Sequence, residues 1–201
     1  MQITRHAVFK FLFIFFFVVY ANLAQAQAAE NYPISKILKV QIFSAIGKGT
    51  SEHLNAAYTH AKKNNYQAIL IQVNTPGGLV SSTYDVLNII GNSDLPFISW
   101  IAPEGAQAAS AGAIIVSGTH LIFMSEGTSM GAATPILPSG DIGDKDVRTK
   151  SINALVGLVS SLAESKGKNK EAFSLMVKDA HIYRSQEALQ LQLIDGITNQ
   201  A

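Results

Sequence analysis

The sequence predicts an α/β domain built on a mostly parallel, twisted sheet flanked by helices. Apolar segments of strand length alternate with segments of helical period along most of its 201 residues. The run Ala68–Val73 is apolar at every position but Gln72, as in a strand covered on both faces. Strand following helix in that order implies right-handed crossovers and parallel pairing.

The elements follow in order. Residues 27–35 are a small-residue leader containing Pro33, and the domain is expected over 36–201. Ile- and Val-rich residues 37–43 predict the first strand. Leu54, Ala57, Tyr58 and Ala61 recur at i, i+3, i+4 and i+7, an amphipathic helix. A second helix is predicted over 82–90, where Ser82 with Asp85 has the spacing of a capping box. Pro96 opens the strand Phe97–Ile101; a helix over 110–118 and the strand Leu121–Met124 follow. Residues 135–149, with Pro135, Pro138, Gly140 and Gly143, predict a long loop, and long loops in compact domains are commonly functional. Then Ile152, Leu155, Val156, Val159, Leu162 and Ala163 form one apolar stripe. No charge occurs over 151–163, and the opposite face carries Ala154, Gly157 and Ser161. Such a helix is expected to pack on two sides, one against another subunit. Residues 185–191 predict a last helix and 193–197 a final edge strand.

Residues 1–26 read as a secretory signal. Arg5 and Lys10 give its positive end, residues 11–21 are all apolar, and Ala24-Gln25-Ala26 or Ala26-Gln27-Ala28 offers the small residues of a cleavage site. The strictly apolar run is shorter than the roughly 20 residues that span a bilayer, so cleavage is expected over retention as an anchor. Removing the segment takes the net charge from +1 to −1, and no Lys/Arg run is present. Nothing there favours nucleic acid. The chain has no Cys, which excludes disulfides and thiolate chemistry. Its five histidines have no metal-ligand spacing, and no metal or other cofactor is expected.

Chemistry concentrates in two segments that each follow a strand, on the rim where ligands of parallel sheets bind. Thr75-Pro76-Gly77-Gly78 offers bare backbone N–H groups. Ala108-Ala109-Ser110-Ala111-Gly112 offers an unhindered hydroxyl at a helix start. Side by side, these would make a nucleophile, Ser110, and an oxyanion hole from the N–H groups of Gly78 and Ala111. The alternative is an N-cap serine beside a close-packed helix. None of His53, His60, His120 or His181 presents itself as a base. Lys150 is the candidate instead, placed at the first turn of the charge-free helix and beside a buried surface. Both circumstances disfavour its charged form. The alternative is a solvated lysine in the charged segment of Lys145, Asp146 and Arg148.

Val73-Asn74-Thr75-Pro76-Gly77-Gly78, Ala108-Ala109-Ser110-Ala111-Gly112, Gly127-Thr128-Ser129-Met130-Gly131-Ala132 and Lys150 together resemble the NfeD-type membrane serine proteases. These belong to the superfamily of the Clp proteolytic subunit and the crotonases, whose fold repeats ββα-type units. The resemblance runs over about 37–197. It implies Ser110 as nucleophile, Lys150 as general base, and Gly78 and Ala111 as oxyanion-hole positions. The stretch Met130-Gly131-Ala132-Ala133-Thr134-Pro135 has no histidine where Clp-type subunits carry their base, which fits a Ser–Lys dyad. It further implies cleavage of apolar segments of stomatin- or prohibitin-like membrane proteins and assembly as a homodimer or larger oligomer. The setting would be the periplasm or the outer face of the inner membrane. A peptide would lie along Gly77, Gly78 and Leu79 as an added strand.

Two departures stand out. Longer relatives continue into membrane helices and a small β-barrel, so a short form, or one attached to the membrane through another protein, is expected. Gln192 stands where relatives usually have Gly; at a left-handed helix end it costs about 1 kcal/mol. Two rivals remain open: a catalytically silent module that grips stomatin-like partners, and a crotonase-like acyl-thioester enzyme. The latter needs paired acids, and the nearest, Glu104 and Glu126, are single loop residues.

Overall fold

A computed structural model describes residues 34–136 and 143–199. The expected signal, most of the leader and the centre of the 135–149 loop lie outside the described residues.

Five strands form the main sheet: β1 (Ile37–Ile42), β2 (Ala68–Val73), β3 (Phe97–Ile101), β5 (Leu121–Met124) and β8 (Gly196–Ile197). Their order is β1-β2-β3-β5-β8 and every pairing is parallel. Ile42 stands opposite Val73, Val73 opposite Ile101, and Ile101 opposite Met124. Four strands therefore end in line, and the segments that follow them emerge on one rim. Ile69, Ile71, Phe97, Ile101 and Ile122 are fully buried.

Helix α1 (Lys48–Lys63) packs beside α2 (Val80–Gly91), burying Leu54 and Ala61 from one and Val86 and Ile90 from the other. The start of α2 corrects the sequence reading. Its N-cap is Leu79, in extended backbone, and no side chain caps it. Ser82 is turned into the core instead of capping, two residues inside the helix.

A second, three-stranded sheet was not legible in the sequence. Strands β4 (Gln107–Ala109) and β6 (Ser129–Gly131) pair in parallel, and β7 (Ile182–Arg184) joins β6 antiparallel. Three residues are too few to show a period of two, so these segments have no pattern of their own. Against β4 and β6, and beside α2, packs α3 (Ala111–Ser117), every residue of which is buried.

The expected loop over 135–149 ends earlier than predicted. Asp144 caps α4 (Lys145–Ser165), its Oδ1 accepting the N–H groups of Asp146 and Val147, both at 2.9 Å. Leu155, Val159 and Ala163 are buried in the predicted stripe, with Ile152, Val156 and Leu162 half-buried beside them. This helix packs on α5 (Lys170–Lys178), which the sequence reading left unassigned; Ala154, Gly157 and Ser161 face outward, exposed. Helix α6 (Ser185–Gln190) ends in the left-handed residue expected, Gln192 at φ 59°. Leu193 N–H donates to Ala188 O at 2.8 Å and Gln192 N–H to Leu189 O at 3.1 Å, the paired bonds of a Schellman ending. The final strand shrinks to two residues, because Leu193 and Ile194 turn into the core. Asp195 closes the end, accepting the Ile122 N–H at 2.7 Å and pairing with the buried Lys168.

Candidate active site at the carboxyl rim of the sheet

The site forms where the chain leaves β2. Thr75 bridges to Ala108: Thr75 N–H donates to Gln107 O at 2.8 Å and Ala109 N–H to Thr75 O at 3.0 Å. Three residues on, Gly78 bridges to Ile46: Ile46 N–H donates to Gly77 O at 2.7 Å and Leu79 N–H to Ile46 O at 2.9 Å. In a parallel bridge one residue bonds through its own N–H and carbonyl to the groups flanking the other; here that residue is Ile46, so Gly78's own N–H faces away. The Gly78 N–H accordingly points from Ile46 toward the open side and has no acceptor among the described residues. Only glycine fits, since a Cβ there would run into the Ile46 carbonyl.

Ser110 occupies the turn from β4 into α3 with φ 52° and ψ −119°. That is the first central position of a type II′ turn, a place kept mostly for glycine. Such an outlier persists only where its surroundings fix it, and it concentrates at functional sites. Here Ser110 N–H donates to Gly131 O at 2.8 Å, and Ser110 O accepts from Ala113 N–H at 3.0 Å. Ser110 stands at the N-cap position, yet its side chain makes no capping bond, which removes the simplest structural role for the hydroxyl. Its Oγ has no hydrogen-bond partner among the described residues. The next residue, Ala111, is buried, and its N–H likewise has no acceptor among them.

Gly77, Gly78, Ser110 and Ala111 are thus brought together: a Cβ added to Gly77 would meet Ser110 Cβ at 2.5 Å and Oγ at 3.0 Å. Leu79 borders them, exposed. Lys150 is not joined to this group. It is the sixth residue of α4, beyond the first turn, because the helix begins at Lys145. It is exposed and makes no hydrogen bond or ion pair among the described residues. Both circumstances inferred for it, a place in the first turn and a buried neighbourhood, are corrected by the early start that the Asp144 cap provides.

Among the described residues, no histidine bonds to Ser110. His53 and His60 lie on α1 beside β1, and His181 faces Glu187 at 3.7 Å. His120 accepts the Phe97 N–H at Nδ1, at 3.1 Å. Burial, then the charge of Lys166, hold its pKa below the ordinary histidine value. Glu104 and Glu126 are exposed. Among the described residues no group of three or more His, Cys, Asp or Glu could hold a metal ion, and no helix is long and apolar enough to cross a membrane.

Sequence reasoning missed two residues of the site. Gly131 supplies the carbonyl that anchors the Ser110 turn. Thr75 is fully buried, its hydroxyl between Ser44 O and Gly77 N–H. The only signal for either was its place in a glycine-bearing motif.

A parallel sheet that presents a serine on a glycine-like turn, opposite a loop of bare amides, defines the class as a ClpP-like α/β domain. The family model described as "NfeD1b, N-terminal domain" matches residues 36–195, and the chain belongs to that family. It is 34% identical over 182 residues to the membrane-bound protease PH1510 of Pyrococcus horikoshii, covering 90% of this chain and 40% of that protein. The chain therefore spans well under half the length of that relative. Among solved structures it is similar to the 1510-N membrane-bound stomatin-specific protease, as a lysine-to-alanine mutant in complex with a substrate peptide. That match has a TM-score of 0.76 at 30% identity, over 84% of this chain and 77% of that one. ClpP1 from Listeria monocytogenes shares the fold, with a TM-score of 0.63 at 16% identity over 81% of this chain and 92% of that one.

Proposed function

We propose that this chain is an exported serine endopeptidase with a Ser110–Lys150 dyad, acting on apolar segments of stomatin-like membrane proteins. The observation that carries the reading is the Ser110 turn: a hydroxyl free of structural bonds, held by a strained backbone between the unengaged N–H groups of Gly78 and Ala111. A peptide pairs as an added strand along the open side of Gly77, Gly78 and Leu79. The exposed apolar side chains of Leu79, Val80 and Tyr84 beside that edge suit an apolar segment.

Ser110 Oγ attacks the scissile carbonyl while an unprotonated Lys150 amine takes the hydroxyl proton. The carbonyl oxygen becomes an oxyanion that accepts from Gly78 and Ala111 N–H. The intermediate collapses as Lys150 returns the proton to the leaving amine. Water, deprotonated by the same amine, then attacks the acyl-serine, restoring Ser110 and releasing the acid. Support for Lys150 comes from the family resemblance and from the related structure in which a lysine mutant holds a substrate peptide. The reading requires Lys150 to reach Ser110 in the peptide complex. Assembly as a homodimer or larger oligomer is supported by the exposed small residues Ala154, Gly157 and Ser161 in the uncharged span 151–163 of α4. Attachment to a membrane is supported by the membrane-bound relative, and the choice of its outer face by the signal-like residues 1–26.

The test compares the wild-type chain with Ser110→Ala and Lys150→Ala on an internally quenched peptide of Val, Leu and Ala. Loss of cleavage in both variants, with unchanged folding, is the expected result. Cleavage that survives in Ser110→Ala overturns the mechanism. A wild-type chain that binds a stomatin-like protein without cutting it, or the peptide, favours the silent module.

A further inference from the structure

The buried hydroxyl of Thr75 decides which amide of the glycine loop is left free. It donates to Ser44 O at 2.7 Å, beyond the end of β1, and accepts the Gly77 N–H at 3.1 Å. Thr75 is wholly inaccessible to solvent, so neither bond competes with water. With its N–H so engaged, Gly77 is held at φ 110° and turned so that its carbonyl accepts from Ile46. Among the described residues, the N–H of this loop left without an acceptor is that of Gly78.

The other branch of the same side chain touches the opposite half of the site. A Cβ added to Gly112 would lie 2.5 Å from Thr75 Cγ2, so the methyl rests on the backbone of the first turn of α3. That turn carries Ala111. The Thr75 backbone is also bonded to Gln107 and Ala109, the strand that delivers Ser110. One residue therefore touches the glycine loop through its hydroxyl, the nucleophile helix through its methyl and the intervening strand through its main chain.

We propose that Thr75 is a positioning residue that sets the two oxyanion donors in register. The hydroxyl aims Gly78 N–H by engaging its neighbour, and the main-chain bonds to Gln107 and Ala109 hold that loop against the strand that delivers Ser110 and Ala111, the methyl adding only packing. This rests on the peptidase reading above. Thr75 does not contact the reacting atoms; it acts through Gly77 and through the strand Gln107–Ala109. The two branches can be separated. Thr75→Val keeps the shape and the methyl but strips the hydroxyl, leaving Ser44 O and Gly77 N–H buried without partners. Thr75→Ser keeps the hydroxyl and loses only the methyl.

The experiment measures kcat and KM of the wild-type chain and both variants on the internally quenched Val/Leu/Ala peptide, with hydrogen exchange at the Gly77 amide followed in parallel. Removing a whole oxyanion donor lowers kcat by about 100–1000-fold, so a misdirected one is expected to lower it by about 10–100-fold. Thr75→Val should show that loss in kcat with KM within about twofold of wild type, and faster exchange at Gly77. Thr75→Ser should restore kcat to within about threefold and protect Gly77 as in wild type. A general structural defect would instead lower the folded fraction and leave kcat per folded molecule unchanged. Thr75→Val that keeps kcat within threefold overturns the proposal. Should Thr75→Val fail to fold, a folded Thr75→Ser with kcat reduced more than tenfold overturns it, since the hydroxyl is then not sufficient. A wild-type chain that leaves the peptide intact overturns the peptidase reading and this proposal with it. A wild-type chain that cleaves, beside a Thr75→Val chain that cleaves equally well, removes this proposal alone.

Discussion

Gly77 and Ser110 stand so close that a Cβ on the glycine would lie 2.5 Å from the serine Cβ and 3.0 Å from its Oγ. Two segments 33 positions apart in the chain thus meet with no room for a side chain between them. The glycine is required twice over, by this approach and by its backbone at φ 110°.

Gly77→Ala should therefore be among the most harmful single-methyl additions in the chain. A left-handed backbone costs an L-residue about 1–2 kcal/mol, and overpacking a further 1–3 kcal/mol. A total near 3 kcal/mol lowers the melting temperature by about 6–12 °C in a domain of this size. Gly91→Ala is the control, because its added Cβ meets nothing within 4 Å. Thermal melts of the two variants that coincide would show that the contact is relieved cheaply.

Ser110→Gly should stabilise the fold while removing activity. The native turn, φ 52° and ψ −119°, strains serine and suits glycine. Strain of this kind is worth about 1–3 kcal/mol, partly offset by the roughly 0.5–1 kcal/mol that glycine adds to the entropy of the unfolded chain. A net gain of about 1 kcal/mol raises the melting temperature by about 2–4 °C. Ser110→Ala keeps the strain and should melt near wild type. Equal melting temperatures for the Gly and Ala variants would mean that the turn stores no energy.

The sequence made the main sheet legible because its strands are buried runs. Ala68–Val73 and Phe97–Ile101 lie where their apolar residues place them. It left the small sheet and α5 unread, since β4, β6 and β7 have three residues each and acquire their shape only by pairing. For the site, glycines and a serine on one rim were readable as types, and the structure brings Gly77, Gly78, Ser110 and Ala111 together. The start of α4 was not readable. Asp144 caps it through a side-chain bond, while the apolar stripe used to locate the helix begins only at Ile152. Lys150 was consequently assigned to a first turn in which it does not stand.

Gln192→Gly offers a gain away from the site. Gln192 is the left-handed residue of the Schellman ending of α6, at φ 59°, and both of that motif's bonds are present. The glutamine is exposed, so its side chain contributes no core packing. Relief of the left-handed strain should stabilise by about 1 kcal/mol, raising the melting temperature by about 2–4 °C with kcat unchanged. A lower melting temperature for Gln192→Gly would show that the glutamine makes a compensating contact.

His120 should make stability fall as pH is lowered through the range just below neutrality. Its Nδ1 accepts the Phe97 N–H at 3.1 Å, at the start of β3, so the folded chain holds the ring neutral with the proton on Nε2. Burial, and after it the charge of Lys166, depress its pKa below the ordinary value of about 6.5. As pH falls past about 6.5 the unfolded chain binds a proton at this residue while the folded chain does not, and binding to the unfolded state alone draws the equilibrium toward it. The stability due to this residue is complete above that pH and declines below it, until the folded pKa is reached. His120→Asn can still offer an oxygen to the Phe97 N–H but cannot titrate. The melting temperature of wild type should therefore drop more between pH 7.5 and 5.5 than that of the variant, the two curves running together at the alkaline end. Parallel curves over the whole interval would show that His120 takes up its proton as readily in the folded protein as in the open chain.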